Sequence, residues 1–270
     1  MKMIAVIPAR YSSTRLPGKP LADICGKPML WWVYKKISTM DVFSDVICAI
    51  DDDRIEAACK EYGMKYLMTS DSHPEHISRV HEVSEHIEAD YYICINGDEP
   101  LISEQCILPV LPNEKHEEPY FSGAMRVLSS PAETLDFSNI KLVTTGEGRC
   151  VYMSRSPVPY PRGTLFFDYK KYMGVECFNK AALDFFVNTP MGKIERIEDI
   201  DHLRFLENGV NMYFREVESD SISVDTEKDL EYVRKVIEAK DMTCYAGEGI
   251  ARLKGMCLWH TIPDEGRVCA

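Results

Sequence analysis

The ten cysteines of this 270-residue chain include no C-x-x-C pair, which argues against a zinc ribbon or a thioredoxin-like redox motif. No apolar run approaches the roughly 18 residues that a membrane span needs. The opening "MKMIAVIPAR" is too short in apolar residues for a secretory h-region. Positive charge is scarce: 31 Lys and Arg stand against 43 Asp and Glu, for a formal net charge of -12. That balance weighs against a general nucleic-acid binder and against an anionic-membrane binder. Neither G-x-x-x-x-G-K-[ST] nor G-x-G-x-x-G occurs. There is no repeat, no low-complexity segment and no Ser/Gly-rich linker. These absences leave a cytoplasmic protein with one domain over residues 1–240 and an extension over 241–270. Cys48 and Cys94 lie in apolar runs, as buried thiols of a reducing compartment do.

What is present is an alternation. "MIAVIPA" (3–9), "DVICAI" (45–50), "MKYLM" (64–68) and "YYICING" (91–97) read as strands. Between them, residues 29–39, 52–63 and 77–87 read as helices, the second with acidic residues at its start and Gly63 at its end. Continuously apolar strands alternating with helices predict an α/β fold with a mainly parallel sheet covered on both faces. Ligands of such sheets sit at the carboxyl ends of the strands. From about residue 120 the pattern shifts to strands and a Pro-rich stretch. That reads as an insertion over roughly 120–180 that continues the sheet and adds a lid or dimer arm. "KAALDFFVNTP" and "IEDIDHLRFLENG" read as helices, the latter stopped by Gly209, and residues 226–241 read as a final helix.

"IPARYSSTRLPGKPL" (7–21) gathers Arg10, Arg15 and Lys19 in an otherwise acidic chain. Gly18 permits backbone forms that other residues resist, and Pro17 and Pro20 stiffen the run. A loop with exposed N–H groups over a sheet edge makes an anion site. A nucleoside triphosphate carries about four negative charges and suits it. On charge and glycine alone, a solvated basic loop explains the run equally well. Asp98 in "INGDEP" follows a buried strand on the same rim; Asp225 in "SVDTEKDL" precedes the last helix. Paired carboxylates of this kind hold magnesium against phosphates. Asp225 reads at least as well as a helix cap, and Asp98 as a turn residue before Pro100.

Taken in order, "PARYSSTRLPGKPL", "GKPML", "INGDEPLI", "SRSPVPYPRG", "HLRFLENG" and "VDTEKDLEYVR" resemble the cytidylyltransferases that activate acidic sugars, most nearly the 3-deoxy-manno-octulosonate (Kdo) cytidylyltransferases, or CMP-Kdo synthetases. The resemblance spans about residues 3–237. It implies a Rossmann-like nucleotidyltransferase fold, a homodimer, and magnesium-dependent transfer of CMP from CTP to a small acidic acceptor. It places Pro8, Ala9, Arg10, Ser13, Arg15, Lys19 and Arg79 at the nucleotide, with Arg10, Arg15 and Lys19 on the reacting phosphates. It places magnesium on Asp98 and Asp225. Asn96, Lys141, Arg155, Tyr172, Glu176 and Glu207 fall where the family binds its acceptor.

The departures from that family are specific. "EHISR" (75–79) stands where it has a small-residue S-G-T-[DE]-R motif, so only Arg79 is kept. Asn96 replaces Gln, Tyr172 replaces His, and Glu176 replaces Tyr. The transfer machinery reads as intact and the acceptor pocket as remodelled. A new carboxylate at 176 would repel an acidic sugar unless a cation pairs with it, or would meet an amino group on the acceptor. Other constellations read more plainly. His73, His76, His81 and His86 do not share one helical face, which favours solvated or supporting histidines over zinc. Trp31 and Trp32 cannot both face one side, so one is expected in the core and the other at a partner. "DDDR" (51–54) reads as an acidic helix start, and Glu195, Glu198, Asp199 and Asp201 as a solvated helix face.

Overall fold

The computed structural model describes residues 1–13, 16–164, 167–219 and 221–239. The expected extension over 241–270 lies outside the described residues, as does Arg15. Strand β1 (Met3–Ala9) leads through a tight loop to a short ribbon, β2 (Asp23–Ile24) and β3 (Lys27–Pro28), then α1 (Met29–Ile37). Next come β4 (Asp45–Ile50), α2 (Asp53–Tyr62), β5 (Tyr66–Met68), α3 (His76–His86), β6 (Tyr91–Ile95) and α4 (Glu104–Ile107). The second half holds β7 (Phe121–Val127), α5 (Pro131–Leu135), β8 (Lys141–Thr144), β9 (Cys150–Ser154) and β10 (Lys170–Phe178). It closes with α6 (Lys180–Asn188), α7 (Lys193–Glu198), α8 (Leu203–Glu207), β11 (Met212–Glu216) and a last helix, α9, over 227–239.

The strands run in the order β11-β7-β10-β6-β1-β4-β5, and β8 and β9 branch from β10. β1, β4, β5 and β6 are parallel, with Ile4 opposite Asp45 and Met3 opposite Tyr91. These first-half strands are parallel as their alternation predicts, while β10, from the second half, runs against β6 and β7 and makes the whole sheet mixed. Residues 120–180 thus supply β7 and β10 to the main sheet and only β8 and β9 stand off it.

Successive side chains of a strand face opposite sides, and here both sides are buried. Ala5 and Ile7 join Leu30, Ile55 and Ile107 in one core, while Ile4 and Val6 join Val80, Leu183 and Phe205 in the other. That two-sided burial is why β1, β4 and β6 are continuously apolar. A third cluster ties Ile24 and Met29 to Val224, Leu230 and Val233, seating α9. Asp52 caps α2 by accepting from Arg54 N–H, and Gly63 ends it in a left-handed turn. Both tryptophans are half-buried, edge to face at 5.0 Å; Trp31 packs on the first core and Trp32 on the third, against this chain's own C-terminal segment. No helix among the described residues is long and apolar enough to cross a membrane.

The stretch 197–209 is not one helix. Asp199 takes a left-handed backbone (φ 53) that ends α7, and a turn separates it from α8. This break reverses the reading of its acidic residues. Glu195 is buried and receives Arg204 in a two-pronged pair (2.9 and 2.6 Å). Glu198 accepts from Ser154 Oγ and from Arg155 N–H. Asp201 faces two histidines, and only Asp199 is solvated.

Candidate active site

A cleft of about 850 Å³ opens over the carboxyl ends of β1 and β6, bounded by the N-terminus of α3 and by the 199–202 turn. Pro8 and Ala9 end β1 at its floor, and the cationic loop forms one wall. Gly18 adopts φ 67, and a Cβ there would meet the Tyr11 ring at 3.3 Å. Tyr11 in turn lies under the Arg54 guanidinium, 3.3 Å from its Cζ, which braces the loop from behind. Ser13 Oγ accepts from Leu16 N–H at 3.4 Å. Arg10 is exposed at the mouth, donating to Pro74 O at 3.4 Å.

Lys19 is the centre of the site. Its Nζ lies 2.5 Å from Asp98 Oδ2 and 3.0 Å from Asp225 Oδ1. Burial lowers its pKa, but Asp98 and Asp225 outweigh that and raise it overall. Residues 79 and 206 positions from Lys19 thus converge on one ammonium. Asp225 does not cap α9: Thr226 Oγ1 accepts from Asp229 N–H, and Asp229 Oδ2 accepts from Thr226 N–H. The Asp225 carboxylate is turned to the cleft instead. Behind Asp98, buried Glu99 accepts from Ser221 Oγ at 2.9 Å; burial and the Asp98 charge raise its pKa.

Two carboxylates converging on one cation, with Asp98 Oδ1 buried and without a hydrogen-bond partner, fit a divalent metal. Arg79 is buried at the back of the cleft, paired with Asp51 at 3.0 Å and donating to Thr69 Oγ1. Asp51 also accepts from Tyr11 N–H, so it links the cationic loop to α3. Reading 51–54 as a helix start hid that link, although Asp51 directly follows β4 on the same rim as Asp98.

Residues 4–219 match the profile of the cytidylyltransferase family. The chain is 39% identical over 245 residues to the 3-deoxy-manno-octulosonate cytidylyltransferase of Koribacter versatilis, covering 89% of this chain and 92% of that one. It is 36% identical to the Escherichia coli protein of that name, covering 87% and 96%. The solved CMP:2-keto-3-deoxy-manno-octonic acid synthetase complexed with CTP superposes with a TM-score of 0.82 at 35% identity, over 89% of this chain and all of that one. The chain belongs to the 3-deoxy-manno-octulosonate cytidylyltransferase family. A Bacillus anthracis protein described as a putative glucose-1-phosphate thymidylyltransferase shares the fold alone, at TM-score 0.64 and 13% identity.

Residues expected at the acceptor lie on the other side of the cleft or beneath it. β10 bulges between Met173 and Glu176, and a Cβ at Gly174 would strike Asn96 Nδ2 at 2.1 Å. The bulge therefore packs directly on Asn96, and Gly174 O accepts from Asn96 N–H at 2.9 Å. Arg155 lines the cleft, its guanidinium donating to the carbonyls of Phe137, Glu198 and Asp199. Three expected acceptor residues are placed elsewhere. Lys141 is fully buried and donates to Asp136 O at 2.8 Å; burial lowers its pKa. Glu207 accepts from the N–H groups of Lys193, Ile194 and Glu195, so it caps α7 and does not line the cleft. Glu176 is wholly buried beneath the floor, where His76, His202 and Tyr172 all reach it.

The Glu176 side chain therefore neither repels an acceptor directly nor meets an amino group on it. His76 Nε2 is 2.9 Å from Oε2, and the Tyr172 hydroxyl donates to Oε1 at 2.6 Å. Asp201 closes the group, 3.0 Å from His202 Nδ1 and 3.4 Å from His76 Nδ1. The first of these contacts is off the line of a straight hydrogen bond. Burial lowers the His202 pKa, but Glu176 and Asp201 outweigh it and hold it at about 10. Burial likewise raises that of Glu176, and the two histidines bring it down to about 2. His202 is the residue that spacing missed, because it was read within a continuous helix. Of the other histidines, His73 pairs with Glu82 and His81 with Asp184, in supporting positions.

Proposed function

We propose that this chain transfers CMP from CTP to a hydroxyl of a small acidic acceptor of the Kdo type, in the cytoplasm and as a homodimer. The acceptor oxygen bonds to the α-phosphorus, the bond to pyrophosphate breaks, and the hydroxyl proton is lost. The observation that carries this reading is the Lys19 ammonium held between Asp98 and Asp225 at the carboxyl ends of the parallel strands. Arg10, Arg15, Lys19, Ser13 and the loop amides hold the triphosphate, and Pro8 and Ala9 bring the backbone close to it. Arg79, braced by Asp51, fixes the cationic loop against α3 on the nucleotide side. Asp98 and Asp225 would hold magnesium, which screens the phosphates and acidifies the attacking hydroxyl. The protein's share is positioning and charge neutralisation.

Asn96, Arg155 and Tyr172 line the acceptor side, and Arg155 supports binding of a carboxylate there. The exposed Leu135, Phe137 and Tyr160, all within the 120–180 stretch, support a contact between copies of the chain. The test is magnesium-dependent pyrophosphate release with CTP, UTP, ATP and GTP, each against Kdo, 8-amino Kdo, neuraminic acid and simple phosphonates. Release with CTP and Kdo is the expected result. CTP binding by calorimetry without release from any pair would replace it with a binding role.

A further inference from the structure

Among the described residues, two groups of side chains converge as metal ligands do. In one, beside His81, the Glu85 and Asp184 carboxylates already share the Lys180 ammonium, which supplies the positive charge. In the other, His76, Glu176 and His202 converge with ligand atoms within 4.8 Å of one another. No lysine or arginine ion pair reaches Glu176 or Asp201 among the described residues.

The orientation of the two rings is the informative feature. Both present Nε2 to the Glu176 carboxylate and Nδ1 to the Asp201 carboxylate. With no metal present, each ring needs a proton on both nitrogens to satisfy both carboxylates, since a neutral imidazole has one N–H and would turn a lone pair on one of them. A divalent cation between the two Nε2 atoms and Glu176 takes the place of the two Nε2 protons, charge for charge, and leaves both Nδ1–H groups for Asp201. A metal-bound histidine whose far N–H meets a carboxylate is the usual outer arrangement of such centres. Charge also closes: one divalent ion balances Glu176 and Asp201.

The ligands come from three separate segments that the fold holds firmly: the first turn of α3, the bulged part of β10, and the turn before α8. Phe121 packs edge-on against His202 at 5.6 Å. His76 and His202 line the cleft while Glu176 lies beneath it, so the open side of the triad faces the cleft. His76 and Glu176 stand where the family resemblance implies a small residue and a tyrosine.

We propose that His76, Glu176 and His202 form a second metal centre, for a first-row transition ion of the zinc or iron type, with Asp201 orienting both histidines. Two imidazoles and one carboxylate select such ions over magnesium, which prefers oxygen donors. The open positions take an oxygen-donor acid, a clause that rests on the proposed acceptor chemistry.

The test is titration of chelator-treated full-length protein with Co²⁺ alone, in excess magnesium, read by visible ligand-field absorption. The expected result is saturation at a single equivalent. His76→Ala, at the exposed edge of the group, abolishes it, and Asp201→Asn weakens it roughly tenfold or more. Asp98→Asn leaves it unchanged. Absence of the band in folded wild-type protein overturns the proposal, as does a band that survives His76→Ala or vanishes with Asp98→Asn. Neither nucleotide nor acceptor is present, so the result stands whatever becomes of the proposed reaction, which pyrophosphate release tests separately.

Discussion

Arg204→Met should destabilise the protein far more than a lost surface charge would. Arg204 donates twice to Glu195 and once to Phe186 O at 3.1 Å, and its guanidinium lies 3.9 Å over the Phe186 ring. Methionine keeps much of the stem packing and removes the charge. Glu195, 3% exposed, is then a buried carboxylate with no counter-charge. Breaking a buried pair in this way costs about 3–5 kcal/mol. For a chain of this size that lowers Tm by roughly 10 °C. Urea melts of the wild type, Arg204→Met, Glu195→Gln and the double variant would measure the coupling. The double variant should regain at least half of the loss, because it buries no unpaired charge. A loss under about 1 kcal/mol for Arg204→Met, or a double variant no better than the single, would refute the reasoning.

Asp98→Asn and Asp225→Asn should each cut pyrophosphate release by about a hundredfold or more while the far-ultraviolet circular dichroism stays unchanged; wild-type rates in either would remove them from the reaction. Gly174→Ala pushes Asn96 out of place, so KM for the acceptor should rise more than KM for CTP, with a stability loss of about 1–3 kcal/mol. Equal effects on both substrates would detach the bulge from acceptor binding. Burial raises the Glu133 pKa, but Arg126 and Ser129 outweigh it and bring the carboxyl from 4.5 to about 2. A depressed pKa contributes stability above the unfolded value that is lost as pH falls through the folded one. Glu133→Gln should therefore flatten the stability profile between those two values, and an unchanged acid slope would count against the Arg126 pair.

Legibility followed burial and locality. β1 and β4 were readable to the residue because strands buried on both faces are apolar throughout. α2 carries its own start and stop in Asp52 and Gly63. The break at Asp199 was not readable, since a left-handed aspartate in an otherwise helical run leaves no spacing signal. With it went the burial of Glu195, whose partner lies nine positions on and meets it only across the break. Lys19, Asp98 and Asp225 were found through ordered motifs, because spacings of 79 and 206 residues say nothing alone. Glu176 stood out as a foreign residue, but the side chains that enclose it could be known only from the fold.

The ring of His76, Glu176, His202 and Asp201 has a consequence for descent. Three separate segments of the chain supply its members, yet each neutralises another. Exchanging the buried His202 alone would leave a carboxylate uncompensated beneath the cleft, with a penalty of about 3–5 kcal/mol. The four positions should change hands together, and in any lineage that keeps Glu176 and Asp201 the two histidines should be inherited with them.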